Sequence, residues 1–140
     1  MSKTAISSPE LAPLVGLFSQ AIQVDGFLYF SGQVAQDPAT GKVVEGGIVA
    51  ETERVLQNLS AVLKAAGKSF DDVVRAGVFL TSMSDFATMN GIYASISVNP
   101  FLLARRSGPP RYHLGPASRL ISSSRLEVIS VRVCLGIGCA

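Results

Sequence analysis

Two kinds of apolar run alternate along this chain. In Phe27-Leu28-Tyr29-Phe30 four large apolar side chains follow one another, and the run halts at Ser31-Gly32-Gln33. An unbroken apolar run of this length predicts a strand buried on both faces. Asp25-Gly26 stands just ahead of it and supplies the positive φ angles of a two-residue hairpin, which makes Ala21–Val24 the partner strand. Val73–Leu80 repeats the pattern of a buried strand, and Leu126–Val133 reads as a closing one. The second kind of run is helical. After Gly46-Gly47, residues Val49, Thr52, Val55, Leu56, Leu59, Val62, Leu63 and Ala66 recur at the one-face spacing of a 3.6-residue period. Glu51, Glu53, Arg54, Gln57 and Lys64 take the other face, and Gly67 ends the helix as a C′ glycine does. About 19 residues at 1.5 Å each make a rod of roughly 28 Å. Ser84 is the expected N-cap of a second helix, with Asp85 in its first turn, Phe86, Met89, Tyr93 and Ile96 on its inner face, and Asn99-Pro100 as its stop.

The remaining stretches connect these elements. Residues 1–19 hold Pro9 and Pro13 with little periodicity and read as an extended arm. Asp37-Pro38-Ala39-Thr40-Gly41 is a turn by its residue types, and Gly108-Pro109-Pro110 and Gly115-Pro116 leave residues 101–124 irregular. The order ββαβαβ predicts an α+β domain with a mixed sheet and both helices on one face. A crossover as long as the first helix predicts that the strands it joins pair in parallel, in the right-handed sense. Two strands apolar on both sides, with helices enough for one face, predict that the open face is covered by another copy of the chain.

Composition sharpens this picture. The chain has 140 residues, enough for one domain with its own core, and is 48% apolar but only 16% charged. The usual charged share is about 25%, so self-association is again expected. No apolar run approaches the ~18 residues of a membrane span. The first residues carry one lysine, Lys3, and no apolar stretch of the secretory kind, so a cytoplasmic protein is expected. A net charge of +2 is too small to argue for nucleic acid. Its distribution is uneven, because residues 86–126 contain no Asp or Glu while holding Arg105, Arg106, Arg111, Arg119 and Arg125. Cys134 and Cys139 lack metal-ligand spacing, and His113 is the lone histidine, so no metal or cofactor is expected. The phosphate-binding and nucleophile-elbow glycine motifs are absent. Any chemistry has to run on Ser, Arg, Glu, backbone and water.

Ser31-Gly32-Gln33, the Asp37-Pro38…Gly41 turn, the helix ending Ala65-Ala66-Gly67, and Asp85-Phe86-Ala87-Thr88-Met89-Asn90…Tyr93 together resemble the RidA (YjgF) family of reactive-intermediate deaminases, also called L-PSP endoribonucleases. The likeness runs in register from about Ser7 to Tyr93 and returns in the closing strand. It implies a chorismate-mutase-like homotrimer with sites between subunits. It also implies cofactor-free hydrolysis of 2-imino and 2-enamino acids to 2-keto acids and ammonia.

By this resemblance, Arg111 in Pro109-Pro110-Arg111-Tyr112 holds the substrate carboxylate, and Glu127 in Leu126-Glu127-Val128 handles the attacking water. Ser31, Gly32 and Asn90 frame the substrate. Phe18 stands where the family usually has a pocket-closing tyrosine, and His113 where a cysteine is frequent. The family's Leu-Pro step before the last strand is missing, and aligning Glu127 takes one inserted residue between Pro116 and Arg125. Arg105 or Arg106 is an alternative carboxylate anchor. The residues suit the chemistry: a guanidinium grips a carboxylate through two parallel hydrogen bonds, and a carboxylate beside it can orient water and carry a proton. Two other functions stay open: RNA binding or cleavage, suggested by the arginine-bearing segment, and a catalytically silent ligand-binding trimer.

Overall fold

The computed structural model describes residues 2–13 and 16–96 together with the backbone of 126–134. The elements run β1 (Thr4–Ile6), β2 (Ala21–Val24), β3 (Phe27–Phe30), β4 (Gln33–Val34), α1 (Gly47–Ala65), β5 (Val73–Leu80), α2 (Phe86–Ile96) and β6 (Leu126–Cys134). The local signals produced what their chemistry demands. Asp25 (φ 49°) and Gly26 (φ 76°) both sit in the left-handed region and close the β2–β3 hairpin, which pairs Ala21 with Phe30 and Val24 with Phe27. At the end of α1, Gly67 adopts φ 68°. Its N–H donates to the Lys64 carbonyl (2.9 Å) and the Lys68 N–H donates to that of Leu63 (2.8 Å). That pair of bonds is a Schellman motif, which satisfies carbonyls the helix itself cannot. The Asp37 turn closes through Gly41 N–H on the Asp37 carbonyl (2.8 Å) and Ala39 N–H on Asp37 Oδ1 (2.8 Å).

The sheet departs from the expected one. β6, the last strand, lies between β3/β4 on one flank and β5 on the other, and every pairing described is antiparallel. β3 and β5 therefore point the same way without touching, so the anticipated parallel pairing and mixed sheet are not found. A strand antiparallel to both neighbours satisfies both edges of β6 with the better-aligned antiparallel bonds, and the crossover through α1 spans it. The N-terminal arm also contributes a strand, with Thr4–Ile6 pairing to Gln23–Ala21.

The core lies on one face. Val55, Leu59, Val62 and Leu63 of α1 and Met89 of α2 pack against Ala21, Leu28, Phe30, Ala76 and Val78 of the sheet. Along β3 the burial alternates: Leu28 and Phe30 are buried, while Tyr29 is exposed and Phe27 half-buried. Two-sided burial of this run is thus not a property of the single chain. Ile22, Val24, Phe27 and Tyr29 share the opposite face by their register, and the Phe27 and Tyr29 rings stand 6.2 Å apart at a 48° tilt.

Two side chains of α1 exchange roles with expectation. Glu51 is buried and Val49 exposed, because the helix presents Glu51, Val55, Asn58 and Val62 to the interior as one row. Ser84 does not cap α2. A short 3-10 turn, Met83–Asp85, precedes the helix and is capped by Ser82, whose Oγ accepts from the Ser84 N–H (3.4 Å). Within α2, Met89 is buried, whereas Phe86 and Ile96 at its two ends are exposed. Among the described residues no helix is long and apolar enough to cross a membrane.

Candidate functional site

The most distinctive backbone feature is the gap between β3 and β4. Both strands pair with β6, with Tyr29 opposite Arg132 and Gln33 opposite Val128. Four residues separate the partners on each side (33 − 29 and 132 − 128), so Ser31-Gly32 interrupts a strand without shifting its register. On the other flank of β6 the register with β5 slips between Gly77↔Ser130 and Val78↔Val128, which leaves Ile129 as an extra residue. Continuing the β4 register by one step sets Ile129 level with Gly32. A strand break and a bulge thus coincide at one level of the central strand. Bulges recur beside binding and catalytic sites because they free backbone groups from the ladder.

Glu127 lies two residues along β6 from that bulge, opposite Val34 on one flank and Phe79 on the other. Two strand steps of ~3.3 Å and one strand spacing of ~4.8 Å put its Cα about 8 Å from that of Gly32, and one more step gives about 11 Å to Ser31.

Ser31 is half-buried. Its hydroxyl donates to the Ser19 carbonyl (2.5 Å), and its N–H donates to the Gln20 carbonyl (3.0 Å). Both donors fasten the segment entering β2 to the strand break. The buried Gln20 side chain extends this tether, with Oε1 accepting from Ser8 N–H (2.6 Å) and Nε2 donating to the Ser8 carbonyl (3.4 Å). Phe18 stands just before the tether, 53% exposed, beside the fully exposed Leu17. Ser31, Gly32 and the Phe18 segment are thereby brought together, with the Glu127 position nearby on β6. The Ser31 hydroxyl, expected to face a ligand, gives its proton to protein backbone and keeps only its lone pairs for anything else.

Asn90 is exposed on α2, next to the buried Met89. One turn further on, burial raises the Tyr93 phenol above its ordinary range, so it is protonated at neutral pH. Arg111, His113, Arg105, Arg106 and Cys139 lie outside the described residues, as do the side chains of Glu127 and Cys134. Among the described residues, no three His, Cys, Asp or Glu side chains gather closely enough to hold a metal ion.

One contributor escaped the sequence reading. Asn58 is buried on the sheet-facing row of α1, and its Nδ2 donates to the carbonyls of Val34 (3.2 Å) and Gln36 (2.9 Å). The signal was a carboxamide three residues after Val55 and four before Val62, on the apolar stripe of the helix.

The endoribonuclease L-PSP family model matches residues 9–131. The chain belongs to this family, the RidA/YjgF/L-PSP group. It is 38% identical over 135 residues to protein DfrA of Myxococcus xanthus, covering 95% of this chain and 97% of that one. It is 34% identical over 131 residues to the human 2-iminobutanoate/2-iminopropanoate deaminase, covering 94% and 90%. Among solved structures it resembles YyfA of Yersinia pestis, from the conserved Rid protein family, with a TM-score of 0.80 at 29% identity over 95% of this chain and 99% of that one.

Proposed function

We propose that this protein is a hydrolytic deaminase that converts 2-imino or 2-enamino acids to 2-keto acids and ammonia without a cofactor. The observation that supports this reading is the register of β6, which pairs Glu127 with Val34, two residues past Gly32 of the strand break. The human relative's deaminase name supports it. In this reading the Arg111 guanidinium holds the substrate carboxylate and fixes the imine carbon. Glu127 takes a proton from water as its oxygen bonds to that carbon. The same carboxyl passes that proton to the nitrogen, then takes the hydroxyl proton of the tetrahedral adduct and delivers it to the nitrogen as the C–N bond breaks, so both water protons leave with ammonia and the ketone remains. Imines hydrolyse readily, so positioning with one acid/base group suffices. Gly32 and Asn90 border the substrate, with Phe18 and His113 at the pocket margin. The apolar face of Ile22, Val24, Phe27 and Tyr29 favours a homotrimer with its sites between subunits.

The test is release of keto acid and ammonia from an imine generated in situ. Glu127→Gln keeps the shape and removes the proton carrier, so turnover falls by about 10²-fold or more while pyruvate binding persists. Arg111→Lys loses the bidentate fork and drops activity sharply, whereas Arg105→Lys and Arg106→Lys are nearly silent. The opposite arginine pattern moves the anchor to the 105–106 pair. An unsubstituted protein inactive on every imine refutes the deaminase and leaves a ligand-binding trimer. The family model's endoribonuclease description favours one second reading, RNA binding. Submicromolar, length-dependent RNA affinity near 0.15 M salt, falling steeply as salt rises, would establish it.

A further inference from the structure

We infer that Asn58 is a positioning residue of the candidate site, holding the two-residue strand β4 against β6 at the level of Glu127. β4 is too short to define its own position, since Gln33 and Val34 alone pair with β6. Beyond it the chain turns at once, with Gln36 N–H donating to the Val34 carbonyl (2.8 Å) before the Gln36–Val43 bridge. The Asn58 amide has two protons and directs them at the carbonyls of Val34 and Gln36, one on either side of Ala35. Asn58 is 3% exposed and Ala35, between the two acceptors, is fully buried, while Val34 and Gln36 themselves are half-buried. α1 is the longest element among the described residues and is anchored in the core through Val55, Leu59 and Val62, on both sides of Asn58. Its rigidity passes through one carboxamide to the strand that follows the Ser31-Gly32 break. Without it two half-buried carbonyls lose a donor, and β4 lifts or slides relative to β6. Displacements of about 1 Å at a reacting centre are enough to cost turnover about 10²-fold.

The inference rests on the deaminase reading only for its kinetic readout, and an independent readout is available. In the full-length protein, Asn58→Leu removes both protons at similar volume. Backbone amides of residues 33–36 then exchange at least tenfold faster, with those of α1 unchanged. The kcat for imine hydrolysis falls tenfold or more at near-constant KM. Leu63→Ala, buried near the far end of the same helix and outside that anchoring trio, serves as the control: it lowers Tm by opening a cavity yet leaves exchange at 33–36 and kcat in place. Should Asn58→Leu fail to fold, Asn58→Ser retains one donor and shows intermediate effects on both readouts. Unchanged exchange at 33–36 overturns the inference, as does faster exchange there with undiminished kcat. If the unsubstituted protein hydrolyses no imine, the deaminase reading falls and the exchange result alone decides the role of Asn58.

Discussion

Replacing Ser31 by alanine separates two roles for its hydroxyl, and the structure assigns magnitudes to each. The Oγ–H donates to the Ser19 carbonyl at 2.5 Å in a half-buried setting. A neutral hydrogen bond of this kind contributes about 0.5–1.5 kcal/mol net, and water reaching the freed carbonyl keeps the loss near the lower end. For 140 residues, an unfolding entropy of about 2.1 cal/mol/K per residue makes 1 kcal/mol worth about 3 °C in Tm. Ser31→Ala should thus lower Tm by roughly 2–5 °C. The Ser31 N–H bond to Gln20 survives, so the segment loosens without detaching. Opening around Ser19 rises by about two- to fivefold, since 1.4 kcal/mol is a factor of ten. Hydrogen exchange at residues 19–21 and thermal denaturation check this, and Ser31→Thr, which keeps a hydroxyl, restores most of the loss. Imine turnover should fall only a few-fold, through the mobility of Phe18. A loss of 10²-fold or more with unchanged Tm and unchanged exchange at 19–21 would refute the tether and place the hydroxyl on the substrate.

Two further perturbations probe the fold. Tyr29→Asp puts a carboxylate on the apolar face opposite the helices; if another copy covers that face, the variant dissociates and loses much of its stability, and light scattering at micromolar concentration of the unsubstituted protein should show a trimer. A stable, well-folded monomer in that measurement would count against the proposed assembly. Burial holds the Tyr93 phenol protonated above the usual value of 10.0, so the unfolded chain ionises first as pH rises. The contribution is fully present below pH 10 and is lost above it, with a slope of up to about 1.4 kcal/mol per pH unit. Denaturant titrations between pH 9 and 11 should show a steep decline that Tyr93→Phe flattens.

Much of this fold is written in short stretches. Asp25-Gly26 closes a hairpin because those two residues tolerate left-handed φ, and Gly67 ends α1 for the same reason. Val55, Leu59 and Val62 announce the buried stripe of α1 through spacing alone. These are local properties, determined by a residue and its neighbours within a turn. The family resemblance, too, was carried by such stretches. What the tertiary structure decided is pairing between distant parts. Nothing around Leu126–Cys134 tells that strand to enter between β3 and β5, since hydrogen-bond partners on both edges become defined only when the three strands meet. The coincidence of the Ser31-Gly32 break with the Ile129 bulge, and the approach of Glu127 to both, follow from that insertion. Polar burial behaves likewise. Asn58 stands on the apolar stripe of α1 with no local partner in the sequence, and a buried amide is tolerable only where acceptors twenty or more residues away, here the carbonyls of Val34 and Gln36, have been brought to it.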